Sequence, residues 1–163
     1  MATQNKNLSA FDVNQIPSGK GKKIGIVVSE WNEEITEGLK KGAIEALIQC
    51  GTLEDDIIVE YVPGTFELPL GAQILLQSKE LDAVVAIGCV VRGETAHFDY
   101  VCQGVTQGIQ SVNLHFNKPV MFCVLTDDTL EQSRARSGGD LGNKGVEAAV
   151  GALKMLGLSD RLI

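Results

Sequence analysis

Positive charge is in short supply in this sequence. Against 21 aspartates and glutamates stand 14 lysines and arginines, leaving a formal net charge of −7. Binding to a phosphate backbone needs a basic surface, so nucleic acid is excluded as a partner. Cysteine is sparse too: Cys50, Cys89, Cys102 and Cys123 are not closely paired, and none joins a histidine at metal-ligand spacing. A disulfide framework and a metal centre of that kind are therefore not expected. Cys89 and Cys123 lie inside apolar runs, where a free cysteine acts as a small hydrophobe. No carboxylate cluster could hold magnesium, no serine or cysteine sits beside a base, and no G-x-G-x-x-G follows a first strand. No apolar run is long enough to span a bilayer. The polar start, Met1 to Asn7, precedes no apolar signal region, so a cytoplasmic chain without a membrane partner is expected.

What is present fits a single globular unit. The 163 residues are 44% hydrophobic and 21% charged, in the ordinary range for a chain that buries its own core. Residues 1–22 read as a flexible N-terminal segment, with disorder over 1–10 and a short edge strand from Phe11 to Ile16 stopped by Pro17. The glycines around Lys20 precede a strand and so do not form a phosphate loop. Residues 23–163 read as the single domain. Apolar, β-branched runs at Ile24–Val28, Ile57–Val62, Ala83–Val91 and Val120–Leu125 predict buried strands. Helices are predicted between them. The first is capped by Asn32 and ended by Gly51, with Ile35, Leu39, Ala43, Ala46, Leu47 and Cys50 in one stripe. A second runs to about Ser78, a third from His97 to Phe116, a short one from Glu131 to Arg136 and a last one from Lys144 to Leu156. Gly104 and Gly108 inside the third predict a close approach by another backbone, of its own sheet or of a neighbouring subunit. Four β-then-α units give an α/β fold: a three-layer α/β/α sandwich, flavodoxin-like, on a four-stranded parallel sheet.

Ligands of such sheets bind beyond the carboxyl ends of the strands. Those ends collect Ser29-Glu30-Trp31-Asn32, Gly64-Thr65-Phe66-Glu67, the stretch from Val90 to His97, and Thr126-Asp127-Asp128. The set holds an aromatic face, a carboxylate, Gly93-Glu94-Thr95 amides at a helix start and a single imidazole. Backbone amides there favour an anion, and an imidazole titrates near neutrality. These parts suit a flat polar heterocycle and a phosphate, with one proton carrier between them. In an acidic chain an anionic ligand also needs local cations, so Arg92, Arg134, Arg136 and Lys144 are the residues to follow. On pattern alone Trp31 reads first as a packing residue, Glu67 as a helix-dipole partner, Phe122 as core, and Arg136 and Lys144 as helix-end cations.

Gly64-Thr65-Phe66-Glu67-Leu68-Pro69, Arg92-Gly93-Glu94-Thr95-Ala96-His97-Phe98-Asp99-Tyr100-Val101 and Gly142-Asn143-Lys144-Gly145 occur in one order and spacing. With Leu125-Thr126 and Glu131-Gln132, they make the chain resemble the 6,7-dimethyl-8-ribityllumazine synthases of riboflavin biosynthesis, from about Lys23 to Leu156. The resemblance implies condensation of 5-amino-6-(D-ribitylamino)uracil with 3,4-dihydroxy-2-butanone 4-phosphate, releasing phosphate and water, with no cofactor and no metal. It implies that Trp31 stacks on the pyrimidine, where many relatives have Phe, with Asn32 in the same substrate-binding set. Thr65, Phe66 and Glu67 would hold the ribityl chain, and Val90 and Val91 would offer backbone contacts to the ring. Glu94 and Thr95 would bind phosphate through main-chain N–H groups, and His97 would transfer protons. From a neighbouring subunit, Phe122 would cover the ring while Arg136, with Lys144 near it, would bind the phosphate. The implied assembly is a homo-oligomer, either a pentamer or a 60-subunit shell of twelve pentamers, with riboflavin synthase as a partner the family leaves open.

Overall fold

The computed structural model describes residues 7–163. Residues 1–6, part of the stretch read as disordered, lie outside the described residues. Four strands, β1 (Ile24–Ser29), β2 (Ile57–Val62), β3 (Ala83–Val91) and β4 (Val120–Asp127), form one sheet in the order β2-β1-β3-β4. Every pairing is parallel, with Ile24 opposite Ile57 and Ala83, and Val84 opposite Val120. Such a sheet must be covered on both faces, because its central strands β1 and β3 are buried nearly along their whole length, whereas the edge strand β2 is exposed at Glu60 and Tyr61. Helices α1 (Glu33–Gln49) and α5 (Lys144–Leu162) cover one face, and α2 (Leu68–Ser78) and α3 (His97–Phe116) cover the other. The period of two divides the strand residues between them. Ile24, Ile26, Val28, Val85 and Ile87 face α1 and α5, while Val27, Val84 and Ala86 face α2 and α3. The expected three-layer sandwich is therefore the one formed.

The α1 stripe is buried as predicted, and Gly51 ends the helix with φ +98°, in the left-handed region that favours glycine. Close approaches are made at Gly104 and Gly108, but to side chains and not to the backbone that was expected. A Cβ on Gly104 would lie 2.5 Å from Phe66 Cε2, and one on Gly108 2.5 Å from Pro69 Cγ. Between α3 and β4, Asn117 turns the chain with φ 50°, and Pro119 follows.

Four further expectations need correction. Phe11 to Ile16 is not an edge strand: Val13–Gln15 is a single 3-10 turn, started by Asp12, whose carboxylate accepts the Asn14 N–H at 3.0 Å. An aspartate that satisfies backbone two residues on favours a turn over a ladder. The same segment packs on the core through Phe11, Val13 and Ile16. Second, Asn32 does not cap α1 with its side chain; it has φ 60°, and only its backbone oxygen meets the helix, accepting from Ile35 and Thr36. Third, the turn-rich stretch after α4 (Leu130–Arg136) forms a small antiparallel ladder, β5 (Ser137–Gly139) with β6 (Gly142–Asn143). Fourth, α5 runs on to Leu162, its last turns tied to the N-terminal segment by a 2.9 Å pair between Lys22 and Asp160.

Candidate active site

The carboxyl ends of β1 and β3, with the turn after β2, open into one cavity of about 610 Å³. Its wall comes from Trp31 and Asn32 after β1, from Gly64, Thr65, Phe66 and Glu67 after β2, from Cys89, Val90 and Val91 on β3, and from His97, Tyr100 and Val101 on α3. Eight sequence-derived candidates thus meet in one place: Trp31, Asn32, Thr65, Phe66, Glu67, Val90, Val91 and His97. Trp31 is 73% exposed and Phe66 59% exposed. Two large aromatic faces left open beside a cavity are unusual for packing residues, whose contribution comes from burial.

Local sequence explains each placement. Asn32 sits in the left-handed region, which asparagine tolerates better than most residues, and this turns its side chain back to the sheet. There its Nδ2 donates to the Cys89 carbonyl at 2.9 Å, tying the β1 end to the β3 end. Thr65 is buried, its hydroxyl 3.4 Å from that of Ser29. A 3-10 turn over Thr65–Glu67 then delivers Phe66 and Glu67 to the rim before Pro69 starts α2. His97 opens α3, and its N–H donates to Thr95 Oγ1 at 3.4 Å. Tyr100 and Val101 follow one turn later on the same helix face. Sequence reasoning missed them as lining residues. The signal was the i, i+3, i+4 spacing from His97.

Five candidates stand elsewhere. Phe122 and Lys144 line a different cavity of about 620 Å³ between β4, α5 and the N-terminal segment. Glu94 and Thr95 lie exposed on the loop before α3, and Arg136 ends α4; none of these three lines either cavity. Within one chain, then, eight candidates converge on one cavity, while Glu94, Thr95, Phe122, Arg136 and Lys144 lie outside it.

Electrostatics separates the cations. Arg92 donates to Asp128 at 2.8 Å and to Asp99 at 3.3 Å, and lies 4.1 Å over the Phe98 ring. Arg134 makes a two-pronged contact with Glu34 at 2.9 and 3.0 Å, a hydrogen bond that holds the Glu34 carboxyl below its ordinary range. Lys144 pairs with Glu147 at 3.0 Å. Arg136 alone of the four has no carboxylate partner among the described residues; its Nη1 donates to the Gln132 carbonyl at 2.9 Å. A guanidinium so anchored keeps further donors for an external anion. Burial disfavours the nucleophilic thiolate at two of the buried cysteines. Burial raises the Cys89 thiol and pushes that of Cys123 up to about 12.

Residues 21–160 match the sequence model of the 6,7-dimethyl-8-ribityllumazine synthase family. The chain is 59% identical to the 6,7-dimethyl-8-ribityllumazine synthase of Flavobacterium johnsoniae over 95% of its own length and 82% of that protein's. It is 58% identical to the one of Christiangramia forsetii, covering 95% of this chain and 93% of the relative. The Porphyromonas gingivalis protein of the same name is 57% identical, over 97% and 98%. A match over nearly the full length of both chains, on a fold whose strand ends gather the motifs that suggested it, leaves one conclusion: this chain belongs to the 6,7-dimethyl-8-ribityllumazine synthase family.

Proposed function

We propose that the chain condenses 5-amino-6-(D-ribitylamino)uracil with 3,4-dihydroxy-2-butanone 4-phosphate, at a site that two copies complete. The observation that carries this reading is the split just described. One cavity gathers Trp31, Phe66, Glu67 and His97, whereas Phe122 and the carboxylate-free Arg136 lie apart from it. A second copy would bring Phe122 over the ring and Arg136 to the phosphate, beside the Glu94 and Thr95 amides and with Lys144 nearby.

The chemistry asks little of the protein as a nucleophile, since the ring substrate's own amine attacks the ketone. Trp31 and Phe66 offer faces for the ring and chain, Asn32 fixes the rim between them, and backbone at Val90 and Val91 meets the ring edge. Glu67 accepts hydrogen bonds from ribityl hydroxyls, and the buried Thr65 supports that turn. Bringing the two substrates to near-attack geometry contributes about 7–11 kcal/mol. His97 moves protons during carbinolamine dehydration, phosphate loss and ring closure. A positioned imidazole of this kind typically adds about 10²–10⁴-fold.

The copies would form pentamers in the cytoplasm, with twelve pentamers closing a shell that could enclose riboflavin synthase. Sedimentation velocity distinguishes the pentamer from the shell. The catalytic reading is tested by mixing the two substrates with the protein and following the appearance of a fluorescent, blue-shifted lumazine. Its formation is the expected result, and its absence with intact oligomers would refute the assignment.

A further inference from the structure

Helix α4 has seven residues, and its one buried residue is a serine, Ser133. A helix this short does not hold itself together in water, and a serine gives it no apolar anchor. Partly buried Leu130 touches the core at its start, but the rest of its docking is polar. Ser133 is 0% exposed; its Oγ donates to Asp127 Oδ2 at 2.8 Å and accepts from the Cys89 thiol at 3.4 Å. Cys89, 2% exposed, is also part of the wall of the ring cavity, and its carbonyl is the one that Asn32 holds. Asp127 ends β4, and its carbonyl accepts the Arg92 N–H at 3.0 Å. The N-terminus of α4 is fixed separately by a capping box between Thr129 and Gln132. The Arg134–Glu34 pair is solvent-exposed and holds little by itself. Three residues after Ser133 comes Arg136, its guanidinium pinned to the Gln132 carbonyl.

We propose that Ser133 is a positioning residue for the anion-binding arm: the chain Cys89–Ser133–Asp127 fixes α4, and through it Arg136, relative to the wall of the chain's own ring cavity. This rests on the function proposed above, with Arg136 as a phosphate ligand. The physical reason is the setting. A hydrogen-bonded chain whose cysteine and serine are buried and whose carboxylate is part-buried fixes geometry, and removing its middle member leaves that carboxylate short of a donor. Because Arg136 would serve the adjoining copy, the same serine ties the ring cavity of one site to the phosphate grip of the next.

The test is a double-mutant cycle on the full-length protein, with steady-state kinetics for each substrate and inorganic phosphate as a competing probe. Ser133→Ala should raise the KM for the phosphate-bearing substrate, and weaken inhibition by inorganic phosphate, each about fivefold, the worth of one hydrogen bond. The KM for the ring substrate should stay near wild type, which also verifies the fold. Adding Ser133→Ala to Arg136→Ala should produce no further loss, because the serine acts through the arginine. Asp127→Ala in place of Ser133→Ala should give the same pattern. An unchanged phosphate-substrate KM in Ser133→Ala, or losses that simply add to those of Arg136→Ala, overturns the inference. If Arg136→Ala is itself silent while product forms, the phosphate role of Arg136 fails instead, and the inference with it.

Discussion

Alanine at Gly104 and alanine at Gly108 look alike in the sequence and should behave in opposite ways. Both positions lie inside α3, where glycine is about 1 kcal/mol worse than alanine. Each new methyl would meet a neighbour at 2.5 Å, so something has to move by close to 1 Å to restore ordinary contact. At 104 the neighbour is the Phe66 ring, 59% exposed and free to swing. An off-rotamer ring costs about 0.5–1.5 kcal/mol, which offsets the helical gain, so Gly104→Ala should melt within a few degrees of wild type. The displaced ring, however, lines the ring cavity, and a 1 Å misplacement near a reacting substrate can cost up to about 10²-fold. We expect the KM for the ribitylaminouracil to rise about tenfold. At 108 the neighbour is the rigid Pro69 at the start of α2. Overpacking there costs about 1–3 kcal/mol, which the helical gain of about 1 kcal/mol only partly offsets, so Gly108→Ala should lower Tm by up to several degrees with both KM values intact. Thermal melts and steady-state kinetics on the two proteins read both quantities. A destabilised Gly104→Ala with unchanged KM would refute the reasoning.

Three further outcomes follow from the same geometry. Asn32→Ala loses the bond to the Cys89 carbonyl and places alanine in the left-handed region; at about 1 kcal/mol for each effect, it should lower Tm more than Asn32→Gly, and equal melts would contradict this. His97→Ala should slow turnover by about 10²–10⁴-fold without abolishing it, and complete loss in intact oligomers would assign the histidine more than proton transfer. Burial raises the Cys89 thiol and pushes that of Cys123 up to about 12, so at pH 8 both remain protonated; mass spectrometry should find them unlabelled by an alkylating reagent until the chain unfolds.

The strands were legible because each is an apolar, β-branched run between turn residues, and the helix stripes because their period leaves little choice. Parallel strands then forced the residues after β1, β2 and β3 to one edge, which is why eight candidates of the ring cavity could be named in advance. What escaped was local competition. Asp12 turns its own backbone where alternation suggested a strand, and Asn32 spends its side chain on Cys89 instead of on α1. The buried role of Ser133 was invisible as well, since a serine on a short charged helix reads as solvated. The separation of Phe122 and Arg136 from the cavity was implied only by the family resemblance. Nothing in one chain's periodicity says that a site is shared.

Sharing is the central claim, and mixed oligomers test it most directly. His97→Ala subunits would retain a working Arg136, and Arg136→Ala subunits a working His97. Co-assembled at equal amounts in a ring with head-to-tail contacts, about one site in four should regain both intact halves, so the mixture should exceed the summed activity of its parents. A mixture whose activity equals that sum, with exchange of subunits verified, would mean that each chain carries its whole site alone.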